Sequence, residues 1–266
     1  MQWINDFLRA QANTEVARAN YGLLGTIGQA VMVLAVVFYF IRMRSKIWDI
    51  VKGVLIGFIA FEFCIYAQHF LMWYRSGYAL DNYYQVANIA VSFTGLPLVA
   101  WLCAKTFNTS VGFAGDITAL ALLGFHTFGR SGCMFTGCCY GFPCDWGLYS
   151  RQTGANQFPV CWVESLFSLA ILIFVLVRIC RKGYTPDGKN LPYFLLLYGI
   201  CRFFSEFTRD YNRDHWLFWR FSDVHVHMLL MAAVGGWLLW RIDQANKREK
   251  EALKGIPLPI LKGRRK

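Results

Sequence analysis

Seven stretches of this chain, residues 22–41, 51–73, 84–104, 111–128, 160–179, 191–207 and 224–240, carry runs of mostly apolar residues. A helix needs about 20 such residues to cross a bilayer. Backbone groups have no water partners in hydrocarbon, so continuous runs of this length are read as helices. Composition supports the reading where it bears on it. Hydrophobic residues make up 56% of the chain and charged residues only 16%, whereas soluble domains carry roughly 25% charge. A disordered chain, a small disulfide scaffold and an ordinary cytosolic enzyme are excluded. The expected fold class is all-α, a polytopic membrane protein with about seven transmembrane helices. Residues 1–20 are polar and lack the apolar centre of a cleaved signal peptide, so the first span is expected to act as its own insertion signal.

The net charge of +11 acquires its meaning from where it sits. The segments after the first, third, fifth and seventh spans hold 18 of the 27 Lys and Arg residues. By the bias of basic residues toward the cytoplasmic side, the N-terminus is outside and the C-terminus in the cytoplasm. Residues 1–242 are read as a single transmembrane domain and 243–266 as a basic cytoplasmic tail resting on anionic lipid. The positive charge therefore implies a membrane and no nucleic acid.

Charged side chains within spans are costly, and this makes them candidates for function. Tyr198, Arg202, Ser205, Glu206 and Arg209 fall at offsets of 0, 4, 7, 8 and 11, one face of a helix. An Arg202–Glu206 pair that only fixes packing is the plainer reading, but it leaves Arg209 unexplained. A second set lies in residues 125–147, where Gly129, Gly132, Gly137, Gly141 and Gly147 argue against a long regular helix. A re-entrant glycine-rich loop is expected there, its amides and Arg130 holding a phosphate in a cavity on the outer side. Asp116, fourteen residues before Arg130, is expected to orient other groups. Cys133, Cys138, Cys139 and Cys144 have the spacing C-x4-C-C-x4-C, which lacks the C-x2-C pairs of zinc or iron–sulfur sites. No metal and no cofactor is expected. The cysteines are read as small residues in a tight loop, with one disulfide as an option. Of the histidines, His126 and His225 neighbour the two arginine sets.

The run Gly129-Arg130-Ser131-Gly132-Cys133-Met134-Phe135-Thr136-Gly137-Cys138-Cys139-Tyr140-Gly141 resembles the signature of the prolipoprotein diacylglyceryl transferases. Tyr198-Gly199-x-x-Arg202-Phe203-x-x-Glu206-x-x-Arg209 resembles that family's C-terminal motif. Tyr21-Gly22-Leu23, Asp116, and Phe158-Pro159-Val160 leading to Glu164-Ser165 add to the likeness, which runs from about residue 21 to 240.

The resemblance implies a multi-pass enzyme of the bacterial plasma (inner) membrane. Such an enzyme moves the diacylglyceryl group of phosphatidylglycerol to the lipobox cysteine thiol in a prolipoprotein signal peptide, releasing glycerol phosphate. It also implies roles. Arg130 and Arg202 grip the donor phosphate, with Arg209 nearby, and Glu206 orients Arg202. Tyr198 and Tyr21 bond donor oxygens, and Gly129, Gly132, Asp116 and Thr94 belong to the substrate site. The chain departs from the family at Thr94, where a histidine is usual, at Cys133 and at Cys138 or Cys139, where Asn and Glu are common, and at Asp223-Val224-His225. His126 or His225 is expected to substitute as proton acceptor. Two alternatives stay open: a divergent relative moving a glycerolipid moiety to another acceptor, and a phospholipid-binding membrane protein without catalysis.

Overall fold

The computed structural model describes residues 2–10, 14–75, 92–137, 139–181, 186–210, 216–218 and 221–254. Residues 84–91 of the third expected span, Cys138, His215 and residues 255–266 of the tail lie outside them. The described helices are α1 (Gln2–Ala10), α2 (Thr14–Met43), α3 (Ile47–Arg75), a 3₁₀ turn (Phe93–Gly95), α4 (Leu96–Thr106), α5 (Val111–Thr136), α6 (Val160–Cys180), α7 (Asn190–Glu206) and α8 (Asp223–Lys254). Five of them, α2, α3, α5, α6 and α8, include segments long and apolar enough to cross a membrane.

The helix α5 is the centre of the bundle. In its most apolar window 72% of residues are buried within the protein, against 28% in α2, α3 and α8. The outer helices therefore turn much of their apolar surface outward, as lipid-facing helices do. Tyr39 and Phe40 of α2, Ile56 of α3, Val175 of α6 and Leu195 of α7 share one apolar core with Ile117, Leu120 and Leu123 of α5.

Glycine decides how closely the helices approach. A Cβ on Gly28 of α2 would sit 2.6 Å from the Phe125 carbonyl oxygen. One on Gly124 would sit 2.7 Å from the Met32 Cα, and one on Gly132 would meet the Tyr21 ring at 2.9 Å. In hydrocarbon, where apolar contact alone gives little drive, such small residues let backbones touch. The same device joins α7 to α8, where a Cβ on Gly235 would lie 2.6 Å from the Leu196 amide nitrogen.

Two sequence expectations are corrected here. Residues 125–136 are not a loop, because α5 continues without a break to Thr136. Its glycines mark contact with α2 rather than irregular backbone. The helix ends at Gly137, whose φ of 68° only glycine adopts cheaply and whose N–H donates to the Cys133 carbonyl at 2.9 Å. The fold is also not purely helical. The strands β1 (Pro143–Ser150) and β2 (Ala155–Gln157) form an antiparallel hairpin, and β3 (Trp216–Phe218) pairs with β4 (Phe221–Ser222). The turn of the first hairpin closes at Gly154, with φ of 67°, where a residue in the left-handed region is expected. Asn5 clamps α1 onto this hairpin, donating to the Gly147 carbonyl at 3.0 Å and accepting from the Tyr149 amide at 2.9 Å.

Candidate anion-binding site

Three helix ends meet at one end of the bundle: the last turns of α5, the first turns of α6 and the last turns of α7. A short backbone ladder ties the chain together there. The Phe142 amide donates to the Thr208 carbonyl at 2.9 Å, and the Gly141 amide to the Phe158 carbonyl at 3.2 Å. A Cβ on Gly141 would come within 2.6 Å of the Thr208 oxygen. This ladder sets Arg209, just past α7, beside the turn that follows Arg130.

Glu164 of α6 is the hub. Arg130 Nε lies 2.5 Å from its Oε2, Arg202 Nη1 lies 3.3 Å from its Oε1, and Arg209 Nη2 is paired with the same Oε1. Glu206 is paired with Arg202 Nη1 and lies 3.3 Å from Arg209 Nε. Ser205 Oγ donates to Glu164 at 3.3 Å. Three guanidinium groups against two carboxylates leave a formal charge of +1 in a dry environment. Burying such charges is costly unless they are paired, and here each lies in an ion pair. The surplus favours an anion. Arg130 is where one would arrive, because its side chain is 12% exposed while those of Arg202 and Arg209 are 2% and 1%.

One helical turn further in, the same three helices carry a neutral layer. His126 is four residues before Arg130, Tyr198 four before Arg202, and Ser168 four after Glu164. His126 Nδ1 is 2.9 Å from Ser168 Oγ, and its Nε2 is 3.2 Å from the Tyr198 hydroxyl. Ser168 Oγ donates to the Glu164 carbonyl at 3.0 Å. The donor assignment that satisfies all three runs from the Tyr198 hydroxyl to His126 Nε2, and from His126 Nδ1–H to Ser168. Phe93 and Phe194 pack against Tyr198.

The residues singled out from sequence divide clearly. Arg130, Arg202, Glu206 and Arg209 come together, and His126 and Tyr198 lie one turn away. Tyr21 packs over Gly132, half a turn beyond Arg130, and is 45% exposed. Gly132 and Gly129 belong to the α5 surface that approaches α2, not to a phosphate loop. Thr94 is in the 3₁₀ turn whose Phe93 touches both His126 and Tyr198. Asp116 does not join the site. Fourteen residues of helix put it roughly 21 Å from Arg130, and it accepts from the Tyr39 hydroxyl at 3.4 Å. His225 stands at the start of α8, where Nδ1 accepts from the Ser222 amide at 2.9 Å, with its ring among Phe203, Phe207 and Phe221.

Glu164 was quoted in the resemblance but not singled out as a site residue. The signal was present, since a lone carboxylate inside the apolar run 160–179 is as costly as those of α7. The sequence also concealed a thiol cluster. Arg130 Nη1 donates to Cys139 Sγ at 3.1 Å and to Cys133 Sγ at 3.5 Å. Cys161 Sγ donates to the Cys139 carbonyl at 2.9 Å. The eight described cysteines, including Cys133, Cys139, Cys144 and Cys161, are unbridged.

Fold and site together define a helical, membrane-type protein that buries a net-positive arginine cluster at one end of its bundle. A sequence model of the prolipoprotein diacylglyceryl transferase family matches residues 14–241, and the chain belongs to that family. It is similar to phosphatidylglycerol–prolipoprotein diacylglyceryl transferase 2 of Clostridium perfringens, 27% identical over 159 residues, or 56% of this chain and 59% of the relative. It is also similar to the phosphatidylglycerol–prolipoprotein diacylglyceryl transferases of Chlorobaculum tepidum (30% over 161 residues; 58% of this chain, 55% of the relative) and Oleidesulfovibrio alaskensis (27% over 195 residues; 69% and 72%). The chain thus spans less than two thirds of the length of the first two relatives.

Proposed function

We propose that this protein transfers the diacylglyceryl group of phosphatidylglycerol to the lipobox cysteine of a prolipoprotein. The carrying observation is the convergence of Arg130, Arg202 and Arg209 on Glu164 with a surplus positive charge and one accessible guanidinium. The donor's phosphodiester takes up that surplus at Arg130. Glu164 and Glu206 hold the arginines in place, so the site is organised before the substrate arrives. The acceptor sulfur attacks the glyceryl carbon, an S–C bond forms and the C–O bond to phosphate breaks. Glycerol phosphate leaves with that oxygen, and the guanidinium groups stabilise its growing charge. The thiol proton enters at the Tyr198 oxygen as the Tyr198 proton passes to His126 Nε2. The bound anion offsets the repulsion that an imidazolium would meet beside the arginines.

The same reading assigns seven spans, with α4 completing the third and α7 serving as the sixth, the N-terminus outside and the C-terminus in the cytoplasm. It places the protein in the inner membrane of a bacterium. The apolar outer faces of α2, α3 and α8 support a site that opens sideways to lipid. A second reading keeps the donor and changes the acceptor. Thr94 and the thiols at Arg130 favour it, because these stand where the resemblance expects other side chains.

One assay decides between them. Purified protein is incubated with phosphatidylglycerol vesicles and a lipobox peptide. A diacylglyceryl mass on the peptide cysteine, with glycerol phosphate released, is the expected result. Glycerol phosphate without labelled peptide points to another acceptor, and lipid binding with neither product rejects transfer.

A further inference from the structure

The thiols beside Arg130 have no part in the chemistry above. Cys133 lies in the last turn of α5, Cys161 in the first turn of α6, and Cys139 in the turn between α5 and β1. Cys161 Sγ is 2.9 Å from the Cys139 carbonyl oxygen. A cavity of about 30 Å³ is lined by Cys133, Cys139, Cys161, Tyr140, Phe158 and Trp162. That volume admits water but not an acyl chain. Cys139 is half-buried, and the other two are buried.

We propose that Cys139 and Cys161 are an oxidisable pair, and that bridging them withdraws Cys139 from Arg130 and weakens the anion site. The choice of partners follows from the backbone. Cys133 is inside a closed helical turn, its carbonyl accepting from Gly137 and Thr136. Cys139 lies outside helix and strand, and it lines the cavity. Cys161 already touches its main chain. Arg130 supplies what an attacking sulfur requires, since a guanidinium donating to sulfur stabilises the thiolate, the form that attacks a disulfide.

The step balances with a small disulfide RSSR as oxidant. Cys139 gives its proton to solvent, its sulfur attacks RSSR to form a mixed disulfide, and RS⁻ leaves to be protonated. Cys161 gives its proton to solvent and displaces the second RS⁻. The pair loses two electrons and RSSR becomes two RSH. Arg130 Nη1 then loses its 3.1 Å contact to Cys139 and keeps only the 3.5 Å contact to Cys133, so the edge that faces the phosphate is held less firmly while Nε stays on Glu164. The effect on the anion site rests on the reading of that site as the donor-phosphate site, whereas the bridge itself does not.

The full-length protein is treated with hydroxyethyl disulfide, alkylated, digested and mapped by mass spectrometry. In parallel, phosphatidylglycerol binding is measured in detergent for oxidised and reduced protein. The expected result is a linked pair of peptides carrying residues 139 and 161, reversed by dithiothreitol. Binding is expected to weaken by about tenfold on oxidation, from loss of one charge-assisted contact. C161S should stop at the mixed disulfide on Cys139. A link through Cys133, no link at all, or a bridged protein that binds lipid as the reduced one does would overturn the proposal. If lipid binds in neither state, the donor reading and the switch fail together, while the peptide map still judges the pair.

Discussion

Two layers of polar side chains sit one helical turn apart on the same three helices, and they are built on opposite terms. The outer layer, Arg130, Glu164, Arg202, Glu206 and Arg209, is fully charged and held by ion pairs. The inner layer, His126, Ser168 and Tyr198, is neutral, satisfied by hydrogen bonds and encased in Phe93 and Phe194. The outer layer keeps a surplus charge and one exposed edge, and the inner layer keeps neither. The lesson is that the bundle confines uncompensated charge to the single turn where a ligand can supply the missing counterion. A helical turn deeper, the groups at rest are neutral, because a charge there has no partner until an anion binds.

The largest expected effect comes from removing the hub of the outer layer. Glu164→Ala strands three guanidinium groups, two of them buried, with one carboxylate, and breaking such a network costs about 3–5 kcal/mol. Thermal unfolding in detergent should show a loss of that order. A variant as stable as the parent would mean that the layer is not held by its charges.

Next comes the exposed edge. Arg130→Ala should reduce transfer by about a hundredfold, the scale of one lost transition-state donor, at a smaller cost in stability because this side chain is partly exposed. Arg130→Lys, which keeps the charge and loses the planar fork, should recover only part of the rate. Full recovery would reduce the role of Arg130 to charge alone.

The inner layer should yield less in stability. Tyr198→Phe removes one buried hydrogen bond, worth about 0.5–1.5 kcal/mol. A larger fall in transfer than in stability, seen equally in His126→Ala, would assign the pair to proton transfer. Unchanged transfer in both variants would leave it a packing element. The smallest effect is expected at Asp116. Asp116→Asn should leave phosphatidylglycerol binding within about twofold, given its roughly 21 Å separation from Arg130 along α5. A marked change there would mean that α5 couples the two ends.

Much of the site was legible along the chain. The Tyr198–Arg209 stripe needed only helical periodicity, and Arg130 stood out beside its glycines. Those glycines misled for a physical reason. In water a helix interior with Gly129 and Gly132 is weakened, but within a bundle the same residues let α2 press against α5, so the helix persists to Thr136. Asp116 was grouped with Arg130 by closeness in sequence, which a rigid helix converts into distance. Cys161 and Glu164 belong to the site through contacts across 22 to 45 residues, and no local pattern reports such contacts.

The amino-acid order by itself determined that this chain partitions into lipid and that its helices carry arginines which must find counter-charges there, because transfer energies and helical periodicity are properties of short segments. Only the tertiary structure decided that the shared counter-charge is Glu164, that one guanidinium stays open to a ligand, and that three thiols gather behind it. Those facts arise where helix ends from separate parts of the chain meet, and the meeting is set by how closely glycine lets the backbones come together.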